Sequence, residues 1–140
     1  MGVREVAGLP AIILFAHGAR DARWAEPFVR IASKVRAEAP ALQVEIAYLE
    51  HIEPNLEQAS RRLAKLGATS IRVVPLFLGR GGHLRVEVPR LVSATAARVP
   101  GVAIELVSPA GEDDGVIDAL AAYCVRAARA RQRGQGGDTR

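Results

Sequence analysis

Two histidines follow apolar runs of the chain and are the residues best suited to do chemistry. His17 comes directly after residues 11–16, and His83 ends a glycine-rich turn that follows the apolar residues 73–78. An imidazole takes up protons near neutral pH and binds metals such as Co, Ni, Fe or Zn through nitrogen. A continuous apolar run is typical of a strand covered on both faces of a parallel sheet, whose carboxyl end opens on the ligand crevice. We therefore predict that His17 and His83 face each other across one cleft, as metal ligands and proton acceptors.

Other polar residues accompany the two histidines. Glu50 follows the alternating residues 43–48, so it is predicted to lie near the same crevice as an acidic helper. Arg20, Arg80 and Arg85 flank the two histidine turns and can bind the carboxylates of an anionic ligand. The turn also contains three glycines, which let a backbone approach a flat ligand closely: Gly79, Gly81 and Gly82.

Each candidate also has a structural interpretation. A histidine in a turn often only binds the backbone, and Glu50 fits a solvated charge at the end of a strand. The arginines, taken singly, are typical surface residues, and His51 is interpreted as a loop residue. Cys124 is predicted to be a small buried group in the last helix.

The order of the periodic segments predicts the fold. Alternation of strand and helix indicates an α/β domain, and the continuously apolar first and third strands belong in the middle of the sheet. We predict a parallel four-stranded sheet of order 2-1-3-4 with helices on both faces. The predicted strands are residues 11–15, 43–48, 71–78 and 102–106, and the predicted helices are residues 24–39, about 54–66, about 85–99 and 113–129.

Several local expectations accompany these elements. Pro75 should end or distort the pairing of its strand, and Pro89 should place the start of the third helix no earlier than about Arg85. Apolar residues at helical spacing are predicted to face the core in the first and last helices: Trp24, Phe28, Ile31, Val35, Val116, Leu120, Tyr123 and Ala127. Residues 1–10 are predicted to be a flexible lead-in, 11–129 a single domain, and 130–140 a disordered basic tail.

Composition limits the class of protein. The 140 residues are 49% hydrophobic and 24% charged, which is typical of a folded globular chain. The net charge is +4, but only 4% of residues are aromatic and no basic stretch is interleaved with aromatics, so we expect a small anionic ligand and no nucleic acid. One cysteine and the lack of a long apolar run predict a cytoplasmic protein without a membrane segment.

The motifs together resemble the short form of the sirohydrochlorin chelatases, of the CbiX/SirB type. The resemblance covers about residues 11–123. It is carried by His17-Gly18-Ala19-Arg20-Asp21, by Leu49-Glu50 with Pro54 and Leu56, by Val74-Pro75-Leu76-Phe77-Leu78 with Gly82-His83, and by Pro89.

The resemblance implies a class II chelatase-like fold and an enzyme that inserts a divalent metal into sirohydrochlorin, a carboxylate-rich tetrapyrrole, for cobalamin or sirohaem synthesis. Its active-site pair would be His17 and His83. The metal (Co²⁺, Fe²⁺ or Ni²⁺) is then a substrate, no organic cofactor is expected, and a homodimer is expected because long members contain two such halves. Two positions depart from the family pattern: Ala19 replaces the usual serine, and Glu87 replaces the usual aspartate.

Alternative functions fit the residues less well. A carrier that binds metal or tetrapyrrole without turnover would use the same pocket. Histidine phosphatases place an arginine directly before the histidine, where this chain has Ala16. Residues 79–82 match neither a Walker loop nor a dinucleotide-binding fingerprint, so nucleotide binding is weakly supported.

Overall fold

The computed structural model describes residues 9–79 and 81–135, with side chains for residues 10–79 and 81–130. The elements follow in the order β1 (Leu9–Ala16), α1 (Glu26–Glu38), β2 (Gln43–Tyr48), α2 (Leu56–Lys65), β3 (Ala68–Pro75), α3 (Gly82–Arg98), β4 (Ala103–Leu106) and α4 (Asp114–Gln135). Short 3₁₀ turns precede α1 (Ala22–Ala25) and α4 (Ala110–Glu112).

The four strands form one parallel sheet of order β2-β1-β3-β4, which confirms the predicted α/β fold and strand order. The register pairs Ala16 with Tyr48, and Phe15 with Pro75. The carboxyl ends of β1, β2 and β3 therefore meet at one edge of the sheet, where ligands bind in folds of this type.

The main core lies between the sheet and the helices α2 and α3. Ile13, Phe15 and Ile71 are fully buried there, against Leu63 of α2 and Val88 of α3. A capping box starts α2: the Asn55 side chain accepts from the Gln58 amide, and the Gln58 side chain accepts from the Asn55 amide.

The opposite face of the sheet carries a smaller core. Leu14 and Val44 pack there against Ala32 of α1, with the half-buried Val35 beside them. Helices thus lie on both faces, as predicted. No helix of the described residues is both long and apolar enough to cross a membrane.

The central strand and the helix after it differ from their predicted bounds. β3 ends at Pro75, as the missing amide of proline requires, although the apolar run suggested a strand as far as Leu78. α3 begins at Gly82, three residues before the predicted limit of Arg85, so Pro89 lies inside the helix. The helix accepts this proline by leaving one carbonyl, that of Arg85, without its amide donor.

Predictions of buried helix faces were partly wrong. Trp24 is 68% exposed and lies in a 3₁₀ turn, and Ile31 is also exposed. Leu120, Tyr123 and Cys124 on α4 are exposed as well. Periodicity identified these helices correctly but could not show which of their apolar residues the described part of the chain leaves exposed.

The first strand and the last helix are both longer than predicted. β1 begins at Leu9, so part of the predicted lead-in is a strand, and α4 extends to Gln135, six residues past the predicted end at Arg129. The rest of the predicted lead-in and tail, residues 1–8 and 136–140, lies outside the described residues. The boundaries of the single domain stay a prediction.

Candidate active site

His17 is fixed by the extension of β1 beyond the sheet. Its carbonyl accepts a hydrogen bond of 3.1 Å from the Glu50 amide, and the Ala16 carbonyl accepts one of 2.9 Å from Leu49. Gly18 follows with φ +80°, and a Cβ there would lie 2.0 Å from the Glu50 carbonyl oxygen. Only glycine allows this close approach of the two strand ends, which holds the His17 turn in place.

The imidazole of His17 borders an apolar pocket of about 240 Å³ at the carboxyl ends of β1 and β3. Its ring centroid lies 4.6 Å from that of Phe77, which in turn contacts Phe15 edge-on at 6.1 Å. Trp24 and Phe28 line the pocket beside them. The structure therefore combines one exposed basic nitrogen donor with aromatic walls suited to a flat apolar ligand.

Trp24 is a site residue that the sequence prediction assigned to the core. Asp21 holds the 3₁₀ turn that carries it, because the Asp21 carboxylate accepts from the Arg23 amide at 3.0 Å and from its guanidinium at 2.7 Å. These hydrogen bonds from the side chain and backbone of Arg23 lower the pKa of Asp21. The capping aspartate three residues before the tryptophan is the signal that could have located the turn.

Tyr48, the last residue of β2, also lines the pocket. It is 5% exposed, and burial raises the pKa of its phenol above the usual 10.0. The hydroxyl therefore stays protonated at neutral pH, as a neutral hydrogen-bonding group in the pocket.

His83 occupies the first turn of α3, not the glycine turn itself. Its side chain is 86% exposed, and its Nε2 pairs with the Glu87 carboxylate one helical turn later. His83 does not line the pocket of His17; it borders a separate depression of about 440 Å³ with Val86, Glu87 and Arg90. Glu87, interpreted from the sequence as a departure from a family pattern, is thus the partner of His83.

The other candidate residues in the described chain are not among those that line the pocket of His17. The Glu50 carboxylate is 59% exposed and lies 3.7 Å from His51 Nε2, so only its backbone contacts His17. Arg20 and Arg85 are exposed, and within the described residues neither forms an ion pair. Gly82 is the first residue of α3, and a Cβ added there would meet no other part of the described chain within 4 Å on the side where it would point. Arg80 lies outside the described residues.

The part of the chain that the structure describes contains no preassembled cluster of metal-ligating side chains. No group of three or more His, Cys, Asp or Glu side chains there could hold an ion.

The sequence matches the CbiX family model over residues 11–127. The chain is 28% identical over 109 residues to a sirohydrochlorin cobaltochelatase of Sulfolobus acidocaldarius, covering 78% of this chain and 85% of that protein. It is 32% identical over 110 residues to a sirohydrochlorin ferrochelatase of Bacillus subtilis, covering 79% of this chain but only 42% of that protein. The chain therefore spans nearly the whole of one relative and less than half of the other.

Solved structures share the fold. A cobalamin (vitamin B12) biosynthesis CbiX protein of Marinobacter aquaeolei VT8 superposes with a TM-score of 0.72 at 36% identity, covering 87% of this chain and 98% of that one. The sirohydrochlorin chelatase SirB of Bacillus subtilis subspecies spizizenii, solved with cobalt, gives a TM-score of 0.68 at 32% identity, covering 79% of this chain and 47% of that one.

Proposed function

This chain belongs to the CbiX family, and we propose that it is a sirohydrochlorin chelatase, which inserts a divalent metal ion into the tetrapyrrole sirohydrochlorin. The names of its relatives support this function. The observation that carries it is the position of His17, whose exposed imidazole borders an apolar, aromatic-lined pocket at the carboxyl edge of the sheet.

The reaction explains why such a pocket needs a base. Insertion of M²⁺ displaces two N–H protons from the macrocycle, so neutral basic groups must accept them near the ring. Part of the macrocycle packs against Trp24 and Phe77, and His17 accepts one of the two pyrrole N–H protons from the face of the ring. His83 accepts the other proton after it has released the metal ion. The pocket, about 240 Å³, is smaller than a typical site for a whole ligand, so it holds only part of the ring.

His83 has the arrangement of a metal-handling histidine. A carboxylate that accepts from Nε2–H fixes the neutral tautomer and leaves the Nδ1 lone pair free for a metal ion or a proton. Glu87 is placed to do this. In the proposed mechanism His83 receives the ion and approaches His17 when the ring binds between them.

The charged residues around the pocket take lesser roles. Arg20, Arg80 and Arg85 bind the carboxylates at the rim of the ring, and the backbone at Gly82 approaches it closely. Glu50 attracts the hydrated ion as an exposed carboxylate near the His17 turn. The support for these roles is their position along the chain around the two histidines.

The metal is cobalt or iron, since relatives are named for cobalt and iron and SirB was solved with each. Ni²⁺ is the third candidate, because imidazole and carboxylate accept all three ions. We also propose that the enzyme needs no organic cofactor, acts in the cytoplasm and works as a homodimer. A relative more than twice as long as the matched segment supports the pairing of two such units.

The test is anaerobic incubation of the purified chain with sirohydrochlorin and Co²⁺, Fe²⁺ or Ni²⁺, followed by absorbance spectroscopy. We expect catalytic turnover with cobalt or iron, and a loss of about 100-fold or more in His17→Ala and His83→Ala. His51→Asn is the matched control: it removes the third histidine, and asparagine tolerates the φ of +69° at this position. It should keep the wild-type rate.

Two results would contradict the proposal. Tight binding of sirohydrochlorin without turnover would indicate a carrier instead of an enzyme. Normal turnover in either His→Ala variant, with unchanged circular dichroism, would remove that histidine from the mechanism.

A further inference from the structure

The 3₁₀ turn beside the His17 pocket carries an ion pair of fixed geometry. The Asp21 carboxylate accepts from Arg23 Nε at 3.1 Å with each of its oxygens, and from Arg23 Nη2 at 2.7 Å. It also accepts from the Arg23 amide at 3.0 Å, so it caps the turn Ala22–Ala25 as well. The carboxylate therefore ties the guanidinium to the backbone of the turn that carries Trp24.

Asp21 uses only part of the hydrogen-bonding capacity of Arg23. Its carboxylate meets Nε–H and one N–H of Nη2. The other N–H of Nη2 and those of Nη1 have no partner within the described residues. These donors form a free fork whose geometry matches a second carboxylate bidentately. The Arg23 side chain is 85% exposed, so this free fork is open to a ligand from solvent.

The turn places the free fork next to the aromatic wall of the pocket. Trp24 follows Arg23 directly, lines the pocket and is 68% exposed, so the turn and not core packing sets its position. The pocket of about 240 Å³ holds only part of a tetrapyrrole, so a ring packed on Trp24 extends past the turn into solvent. The carboxylates at the rim of that ring then pass the neighbouring guanidinium.

Two arginines that the sequence suggested lack such support. Arg20 and Arg85 form no side-chain hydrogen bond or ion pair within the described residues, so each loses side-chain entropy when it binds a carboxylate. The Arg23 guanidinium is already oriented, so it loses less. An exposed ion pair adds little to stability, so we expect the main effect of Asp21 to be this orientation.

We propose that Arg23 is a specificity-determining residue, which binds a peripheral carboxylate of the tetrapyrrole with its free fork, and that Asp21 is the positioning residue that orients it. The proposal rests on the proposed chelatase function and adds a substrate contact to it. It predicts the opposite sign from charge alone. Removal of the Asp21 charge makes the turn more positive, yet it should weaken the binding of a polyanion because the guanidinium loses its orientation.

The test is an anaerobic titration of the metal-free chain with sirohydrochlorin. Trp24 is the only tryptophan of the sequence, so quenching of its fluorescence reports a ligand near this turn. We expect Arg23→Ala to raise the Kd about tenfold or more, and Arg23→Lys to recover little of this loss. Arg30→Ala is the matched control, because it removes an equal charge from the side of α1 opposite Phe28; it should change the Kd less than about twofold.

Asp21→Asn separates orientation from the cap of the turn. Asparagine caps as well as aspartate does, so Trp24 should keep its place and the circular dichroism should be unchanged. The Kd should nevertheless rise about threefold or more, because the neutral amide holds the guanidinium less firmly. The double variant of Asp21→Asn and Arg23→Ala should bind no more weakly than Arg23→Ala alone, because Asp21 acts through Arg23.

The outcomes distinguish this proposal from the proposed function. Normal metallation by the wild type together with an unchanged Kd in Arg23→Ala would remove Arg23 from the site and leave the function intact. Tighter binding in Asp21→Asn, or additive losses in the double variant, would remove the orienting role of Asp21. A wild-type chain that shows neither quenching nor metallation would refute the proposed function, and this contact with it.

Discussion

Replacement of Gly18 by alanine should destabilise the protein for two separable reasons. The backbone has φ +80°, a conformation in which a side chain costs about 1–2 kcal/mol. The new Cβ would also lie 2.0 Å from the Glu50 carbonyl oxygen. Relief of that overlap must shift the two strand ends, at about 1–3 kcal/mol, and weaken the bond from the Glu50 amide to the His17 carbonyl, at about 1 kcal/mol.

The chain contains a control for each term. Gly101 has φ +83° and no atom within 4 Å of a new Cβ, so Gly101→Ala measures the backbone term alone. Gly111 lacks a positive φ, but a Cβ there would lie 1.8 Å from the Leu78 carbonyl oxygen, so Gly111→Ala measures a steric overlap alone. We expect losses in the free energy of unfolding of about 1–2 kcal/mol for Gly101→Ala and about 3–6 kcal/mol for Gly18→Ala.

The assay is urea unfolding followed by circular dichroism. At this chain length, the expected loss in Gly18→Ala corresponds to a melting temperature lower by about 10 °C or more. Gly18→Ala should also lower the rate of metallation, because His17 is held by the same turn. If Gly18→Ala and Gly101→Ala lose the same free energy, the contact between the His17 turn and Glu50 does not constrain the site and the reasoning fails.

Three further predictions concern the pocket and His83. Trp24→Ala should weaken sirohydrochlorin binding about tenfold in a titration and leave stability unchanged, because the ring is exposed; an unchanged affinity would contradict the stacking role. Glu87→Gln should lower the rate of metallation about tenfold or more, and Glu87→Asp should retain more activity than Glu87→Gln. Equal rates of metallation in the two variants would show that the charge of Glu87 has no role in the reaction. Burial raises the pKa of Tyr48 above 10.0, so the folded state binds this proton more tightly and the free energy of unfolding should fall as pH rises above 10.0. Tyr48→Phe should reduce that slope in urea titrations at alkaline pH, and an unchanged slope would contradict the assignment.

The order of the strands in the sheet could be predicted because it follows from the apolar pattern within each strand. The unbroken apolar residues 11–15 and 73–75 are typical of strands covered on both faces, so they were expected in β1 and β3 at the centre of the sheet. The alternating residues 43–48 tolerate an edge, where β2 lies. These patterns are local, and the rule for parallel sheets converts them directly into a topology.

The environment of the site residues could not be predicted in the same way. His83 was expected to point into the pocket of His17, but a helix that begins at Gly82 brings Glu87 one turn away, and the imidazole pairs with it. Trp24 was assigned to the core because helical spacing shows which residues share a face, not which face the protein covers. Whether His17 and His83 act together stays a prediction.

The exposed residues Leu120 and Tyr123 of α4 illustrate the same limit. They recur at helical spacing, as do Leu56 and Leu63 of α2, which are buried in the main core. Periodicity cannot distinguish a helix that buries its apolar residues from one that leaves them exposed.

The proline inside α3 should make the first turns of that helix less stable against local unfolding than the rest of it. Pro89 has no amide to give to the Arg85 carbonyl, so one backbone bond is missing between the turn that carries His83 and the rest of the helix. That turn should fray while the part packed through Val92 stays formed, and its amides should exchange faster with deuterium than those beyond Pro89. We expect this local unwinding to let the imidazole change position without any rearrangement of the sheet beneath it.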